Sequence, residues 1–186
     1  MNIATEALRL FKLDGYNYPK FRAKIIRLYL HAFTTGEYAQ YVEPQNAESS
    51  MDELMRKGFG SMAFIEDILV GVVLAVPLSQ DSDFPEEARE RLPMHTSLYI
   101  AEVMVDADFR GRGIASRLLQ NILESVSSNY SDVVIRVWSE NQPALCLYEK
   151  MGFKAIGCIN QTKYRSAQEP FEMRKIYLHK KIERSF

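Results

Sequence analysis

Asp106-Ala107-Asp108-Phe109-Arg110-Gly111-Arg112-Gly113-Ile114-Ala115-Ser116 is the stretch on which the reading of this chain turns. The apolar run before it, 98–105, reads as a strand, and the amphipathic run after it, 114–126, reads as a helix. A strand that passes through a glycine-bearing turn into a helix start makes an anion site. The first helical N–H groups have no partner within the helix, and the helix dipole favours negative charge there. Gly111 and Gly113 lack a Cβ, which lets a bulky phosphate approach the backbone. The turn is therefore expected to hold a phosphate-bearing ligand.

The rest of the chain sets the context for that turn. Its 186 residues suit a single domain, 1–186, with room for a sizeable core. Apolar residues make up 47% and charged residues 25%, as in ordinary globular proteins. Lys and Arg number 23 against 24 Asp and Glu, a balance that argues against a nucleic-acid platform driven by bulk charge. Cys146 and Cys158 are too few for a disulfide framework, and His31, His95 and His179 are scattered, so no metal is expected. Residues 1–10 carry Glu6 and Arg9 and do not read as a signal peptide. The longest apolar run, 68–78, is about half of what a membrane-spanning helix needs. A cytoplasmic protein with no membrane or nucleic-acid partner is expected, and a homodimer is left open.

Hydrophobic periodicity predicts the elements. Residues 8–13 read as a strand and 19–33 as a helix. A shorter helix is expected over 50–57, capped by Ser49 or Ser50 and stopped by Gly58. Strands over 60–66 and 68–78 form a hairpin at Glu66-Asp67. Residues 79–96 read as a long polar connection with one helical turn near 85–91. Beyond the helix at 114–126 come a strand at 133–138 and a helix capped by Asn141 and ended at Gly152. Closing strands over 153–159 and 171–179 flank a loop at 160–170, and Lys180-Lys181 reads as a solvated tail. The order β-α-α-β-β-β-α-β-α-β-β describes a mixed α/β fold.

Arg110-Gly111-Arg112-Gly113-Ile114-Ala115 fits the pattern [Gln/Arg]-x-x-Gly-x-[Gly/Ala] of the GCN5-related N-acetyltransferases, the GNAT superfamily. The run from Asn141 through Tyr148 to Gly152-Phe153 is similar to that family's asparagine-to-tyrosine helix, and Glu102-Val103-Met104-Val105-Asp106 resembles its fourth strand. These motifs lie in residues 99–153; the first 60 residues match in outline only. The resemblance implies an α/β fold with a mixed, mostly antiparallel sheet flanked by helices, its fourth and fifth strands splayed apart. It implies acetyl-CoA as co-substrate and direct transfer of an acetyl group to a primary amine of a small molecule or peptide.

In that scheme the amides of Gly111, Arg112, Gly113, Ile114, Ala115 and Ser116 take the pyrophosphate, with Arg110 and Arg112 as further phosphate contacts. The peptide-like pantetheine arm pairs with the backbone at Val103, Met104 and Val105, with Asn141 as a polar contact. Tyr148 is the implied general acid. Glu102, a carboxylate between apolar Ala101 and Val103, is the candidate base; the alternative is a strand residue facing solvent or paired with Arg136. Some family members carry a glutamate on the fifth strand five residues before the asparagine, where this chain has Arg136.

Two other functional classes fit parts of the pattern. A dinucleotide-binding turn also places Gly-x-Gly between strand and helix, with Ser116 and Glu140 near the positions it needs. A catalytically silent acetyl-CoA-binding sensor would keep the turn, but has no need of Tyr148. Trp138 reads as core or cleft wall, and Tyr16, Tyr18, Tyr38 and Tyr41 as acceptor-pocket or surface residues. Asp81, Asp83, Glu86, Glu87 and Glu90 outnumber Arg89 and Arg91 before the donor strand, an acidic rim that would draw a cationic amine. Neither the acceptor's identity nor an acyl group other than acetyl is decided by these residues.

Overall fold

A computed structural model of the protein describes residues 7–183; the reading of residues 1–6 lies outside them. The elements are β1 Leu8–Leu13, α1 Tyr18–Thr34, α2 Pro44–Lys57, β2 Phe59–Ile65, β3 Ile68–Pro77 and α3 Glu86–Arg89, followed by β4 Ser97–Val105, α4 Ile114–Val126, β5 Asp132–Trp138, α5 Gln142–Lys150, β6 Lys154–Ser166 and β7 Glu169–Lys181. They form a seven-stranded sheet of order β1-β2-β3-β4-β5-β7-β6. Each neighbouring pair is antiparallel except β4 and β5. Among the described residues there is no doubly wound parallel sheet, and the dinucleotide-binding alternative falls with it.

The expected elements hold with three corrections. Helix α2 starts at Pro44 rather than at residue 50. Proline's fixed φ and missing N–H suit the first helical position. Ser49 lies inside the helix, its hydroxyl donating to Gln45 O at 3.0 Å. Most of the expected loop at 160–170 is strand: β6 and β7 pair from Lys154↔His179 to Ser166↔Glu169. Lys180-Lys181 is the end of β7, not a free tail, and Lys180 Nζ donates to Met151 O at 2.7 Å. Gly58 does stop α2, but in extended backbone. A Cβ there would stand 2.1 Å from Ala75 O, so close approach to β3 accounts for the glycine.

Two layers cover the sheet. On one face α4 turns Ile114, Leu118, Leu119, Ile122, Leu123 and Val126 inward, all buried, together with Tyr148 of α5 and Phe153. Each such side chain contributes about 2 kcal/mol by leaving water. On the other face α1 and α2 pack Ile25, Leu28, Met51 and Met55 against Met62, Val72 and Met104. Residues 79–96 complete that second face, with Phe84, Ala88 and Leu92 packed against Tyr99 and Tyr177. No helix among the described residues is long and apolar enough to cross a membrane.

Candidate active site

The sheet opens in its middle. Strands β4 and β5 pair only from Ser97↔Asp132 to Ile100↔Ile135. The β3–β4 register then shifts between Leu74 and Ala75, which pair with Glu102 and Ile100 and leave Ala101 as the extra residue of a bulge. Beyond it β4 stays with β3 and parts from β5. The Asp106 amide donates to Val70 O of β3 at 2.9 Å. Strand alternation therefore aims the amides of Val103 and Val105 at the opposite edge, into the gap. Met104 is turned into the α1–α2 core, fully buried.

At the end of β4 the turn is already shaped for an anion. Gly111 and Gly113 have φ of 76° and 74°, left-handed conformations that side chains resist. A Cβ on either would meet nothing within 4 Å, so the space above both is open. Gly113 is the N-cap of α4 and supplies no side-chain cap. The first helical bond beyond the turn runs from Arg117 N–H to Gly113 O at 3.1 Å. The amides of Ile114, Ala115 and Ser116 thus form an uncapped helix start. Arg110 donates to Val105 O at 3.3 Å and to Ala32 O of α1 at 3.0 Å. Arg112 donates to Asp108 O at 3.4 Å and lies over the Phe109 ring. Both guanidinium groups thus donate to backbone carbonyls and add their charge beside an uncapped helix start.

Asn141 caps α5 by accepting from the Ala144 amide at 3.3 Å. The helix ends where Phe153 N–H bonds Tyr148 O at 3.0 Å, and the Tyr148 ring packs on Phe153 with centroids 6.0 Å apart. Tyr148 is 6% exposed, and its hydroxyl has no hydrogen-bond partner among the described residues. Burial, then the charge of Glu102, raise its pKa, so it keeps its proton at neutral pH.

Glu102 sits half-buried on the floor of the gap. Desolvation raises its carboxyl to about 7, against the opposing pull of Lys175, Arg136 and Lys163. It does not pair with Arg136. That guanidinium is engaged by Tyr177 at 2.9 Å, Asp83 at 3.1 Å and Asp81 at 3.8 Å. Asp81 also accepts from the Tyr177 hydroxyl, and Asp83 from Gln161 Nε2 at 2.7 Å. The two aspartates expected to draw a cation are spent on these partners.

Trp138 is a cleft wall, its ring 5.8 Å from Tyr38 and 5.9 Å from Phe171. Tyr41 N–H bonds Tyr164 O at 2.7 Å, carrying the chain between α1 and α2 across to β6. Tyr16 is exposed, and Tyr18 is buried against Asp52. Tyr29, Lys163 and Lys175 escaped the sequence reading. Tyr29 is pushed up first by the charge of Glu102 and then by burial. Tyr29 reads in the sequence as one of the apolar positions of the 19–33 helix, Lys163 falls in the expected loop and Lys175 in the expected closing strand, and no local pattern marks any of them as a site residue.

The arrangement combines a preformed anion turn, free strand amides, a carboxyl that titrates near neutrality and a protonated phenol. Such a site can bind a phosphorylated, peptide-like ligand and move protons beside it. Residues 22–153 match the family model described as the Acetyltransferase (GNAT) family. The human N-acetylaspartate synthetase is 28% identical over 141 residues, 74% of this chain and 39% of that protein. Human N-acetyltransferase 8 is 31% identical over 93 residues, 50% of this chain and 37% of that protein. The chain therefore spans well under half the length of these curated relatives. Among solved structures, Arabidopsis thaliana NAA60 in complex with a bisubstrate analogue superposes with TM-score 0.70 at 17% identity, covering 96% of this chain and 100% of that one. The yncA protein of Salmonella typhimurium, solved with its cofactor acetyl-CoA, gives 0.65 at 14%, covering 96% of each chain.

Proposed function

The chain belongs to the acetyltransferase (GNAT) family, and on that premise we propose that it transfers the acetyl group of acetyl-CoA directly to a primary amine of a small molecule or peptide. The observation that carries this reading is the meeting of two features at one end of β4. The open, left-handed turn at Gly111 and Gly113 stands there beside a splay flanked by Glu102 and Tyr148.

Amides from Gly111 to Ser116 hold the pyrophosphate, with the Ser116 hydroxyl at their side. Val103 and Val105 present backbone to the pantetheine arm as a neighbouring strand would. One of those amides also stabilises the thioester oxygen as charge develops on it. An alkylammonium has a pKa of about 10.4 and must lose a proton before it can attack. Glu102, with its carboxyl near 7, takes that proton directly or through a water. The transfer has a consequence for Tyr148. Glu102 in its charged form opposes loss of the tyrosine proton. Once Glu102 is protonated that opposition ends, so Tyr148 becomes a better acid as the thiolate departs.

The relatives' names support an amine acceptor: an N-acetylaspartate synthetase and an N-alpha-acetyltransferase stand among them. The test is calorimetric titration with acetyl-CoA, followed by thiol release across a panel of amines and peptide N-termini. Tight acetyl-CoA binding with amine-dependent thiol release is expected. Binding without release from any acceptor would assign the chain to the silent, sensing class, and no binding would sink the reading altogether.

A further inference from the structure

The strand register gathers basic side chains on the face of the sheet that Glu102 shares. Arg136 pairs with Tyr177 and Trp138 with Lys175 across β5 and β7. Lys175 then pairs with Ile159, Met173 with Gln161 and Phe171 with Lys163 across β7 and β6. Alternation puts all of these on one face. Tyr99 of β4 belongs to that face, since its ring lies 6.4 Å from that of Tyr177 and under the Arg136 guanidinium.

Arg136 pairs there with Asp81 at 3.8 Å and Asp83 at 3.1 Å, whereas Lys163 and Lys175 form no such pair. Both are half-buried, and neither has a carboxylate within ion-pair distance among the described residues. Gln161, next to Lys163 on this face of β6, has the one buried side-chain polar atom among the described residues without a partner, Oε1, an acceptor suited to an amine N–H and not to a carboxylate. Trp138, Phe171 and Tyr38 wall the space, and the Tyr41–Tyr164 backbone bond ties the α1–α2 connection to the strand bearing Lys163. Glu102 and Asp83 attract Lys175 only from beyond ion-pair distance, and an anion in direct contact with the two ammonium groups would replace the hydration that partial burial removes.

We propose that the acceptor is an amine that also carries a carboxylate, an amino acid or an acidic amine, with its carboxylate held by Lys163 and Lys175 and its amine turned toward Glu102. This rests on the acetyl-transfer reading above and reverses the expectation of a cationic acceptor. Lys175 supports it physically. Burial, then Lys163 and Arg136, lower its pKa to about 8, against the attraction of Glu102 and Asp83. A carboxylate seated beside it opposes that repulsion and raises its pKa again.

The test compares acceptors that differ only in carboxylate against carboxamide, such as glycine, alanine and leucine with their α-amides. Thiol release is expected to favour each carboxylate at least ~10-fold in kcat/KM. Lys163→Gln and Lys175→Gln should each shrink that ratio through the acceptor KM and leave the acetyl-CoA KM in place. In the unaltered protein, calorimetry near pH 8 in buffers of differing ionisation enthalpy should show proton uptake on amino-acid binding. Equal kcat/KM for the two members of each pair overturns the proposal while acetyl transfer stands. Thiol release from no acceptor overturns the acetyl-transfer reading instead. Amino-acid binding without proton uptake then removes the lysine pair as well.

Discussion

The Tyr177 hydroxyl donates to Asp81 Oδ2 at 2.8 Å, fastening the middle of β7 to the connection that precedes β4. Arg136 bonds the same hydroxyl, so guanidinium, phenol and carboxylate form one buried knot. Arg136→Met leaves Asp81 in the interior without its cation. Unfolding by urea is expected to show a loss of about 3 kcal/mol at neutral pH. A loss below about 1 kcal/mol would mean that the knot adds nothing that packing does not already supply.

Gly113→Val places a β-branched residue at φ 74°. The strain costs about 1–2 kcal/mol, which a core of this size tolerates. The new side chain fills the open space above the helix start, so acetyl-CoA affinity in calorimetry should be lost while circular dichroism reports an intact fold. Unchanged affinity would move the phosphate elsewhere.

Glu102→Gln should remove the acidic limb of the pH–rate profile. With the carboxyl at about 7, activity of the unaltered protein is expected to fall tenfold per pH unit below that value. The same shift has a stability signature. The folded pKa is raised from 4.5, so the folded state is disfavoured progressively as pH rises from 4.5 to about 7. Glu102→Gln should therefore raise Tm above pH 7 and leave it alone below pH 4.5. A Tm gain of the same size at pH 4 and pH 8 would rule out titration as its source.

Tyr148→Phe keeps the ring against Phe153 and deletes the hydroxyl. A drop in kcat of ~10- to 10³-fold with the acetyl-CoA KM nearly constant is the expected outcome in steady-state kinetics. Full activity would leave Tyr148 as a packing residue.

How much of this could be read from the chain follows from which side chains face the core. The α4 stripe from Ile114 to Val126 and the strand before it are apolar on their buried sides, so periodicity located them within a residue. The glycine turn was legible because its left-handed backbone demands glycine twice. Strand β6 was missed over most of its second half for the opposite reason. Its inward positions there are Gln161 and Lys163, polar because they line a cleft, so no hydrophobic alternation marks them. Asp81 and Asp83 read as an acidic rim because Arg136, which pairs with both, lies far away in sequence. Pairings across that distance belong to tertiary structure and leave no local trace.

The parting of β4 from β5 after Ile100 and Ile135 also has a dynamic consequence. Amide hydrogens deep in a sheet ordinarily exchange with deuterium only when the whole structure opens. Those of Val103 and Val105 lie between protected neighbours but point into the slot, so they should exchange orders of magnitude faster than those of Val72 or Met104. Two fast signals in the centre of a slow sheet give the slot a spectroscopic address, one that can be watched closing when a ligand takes the place of the missing strand.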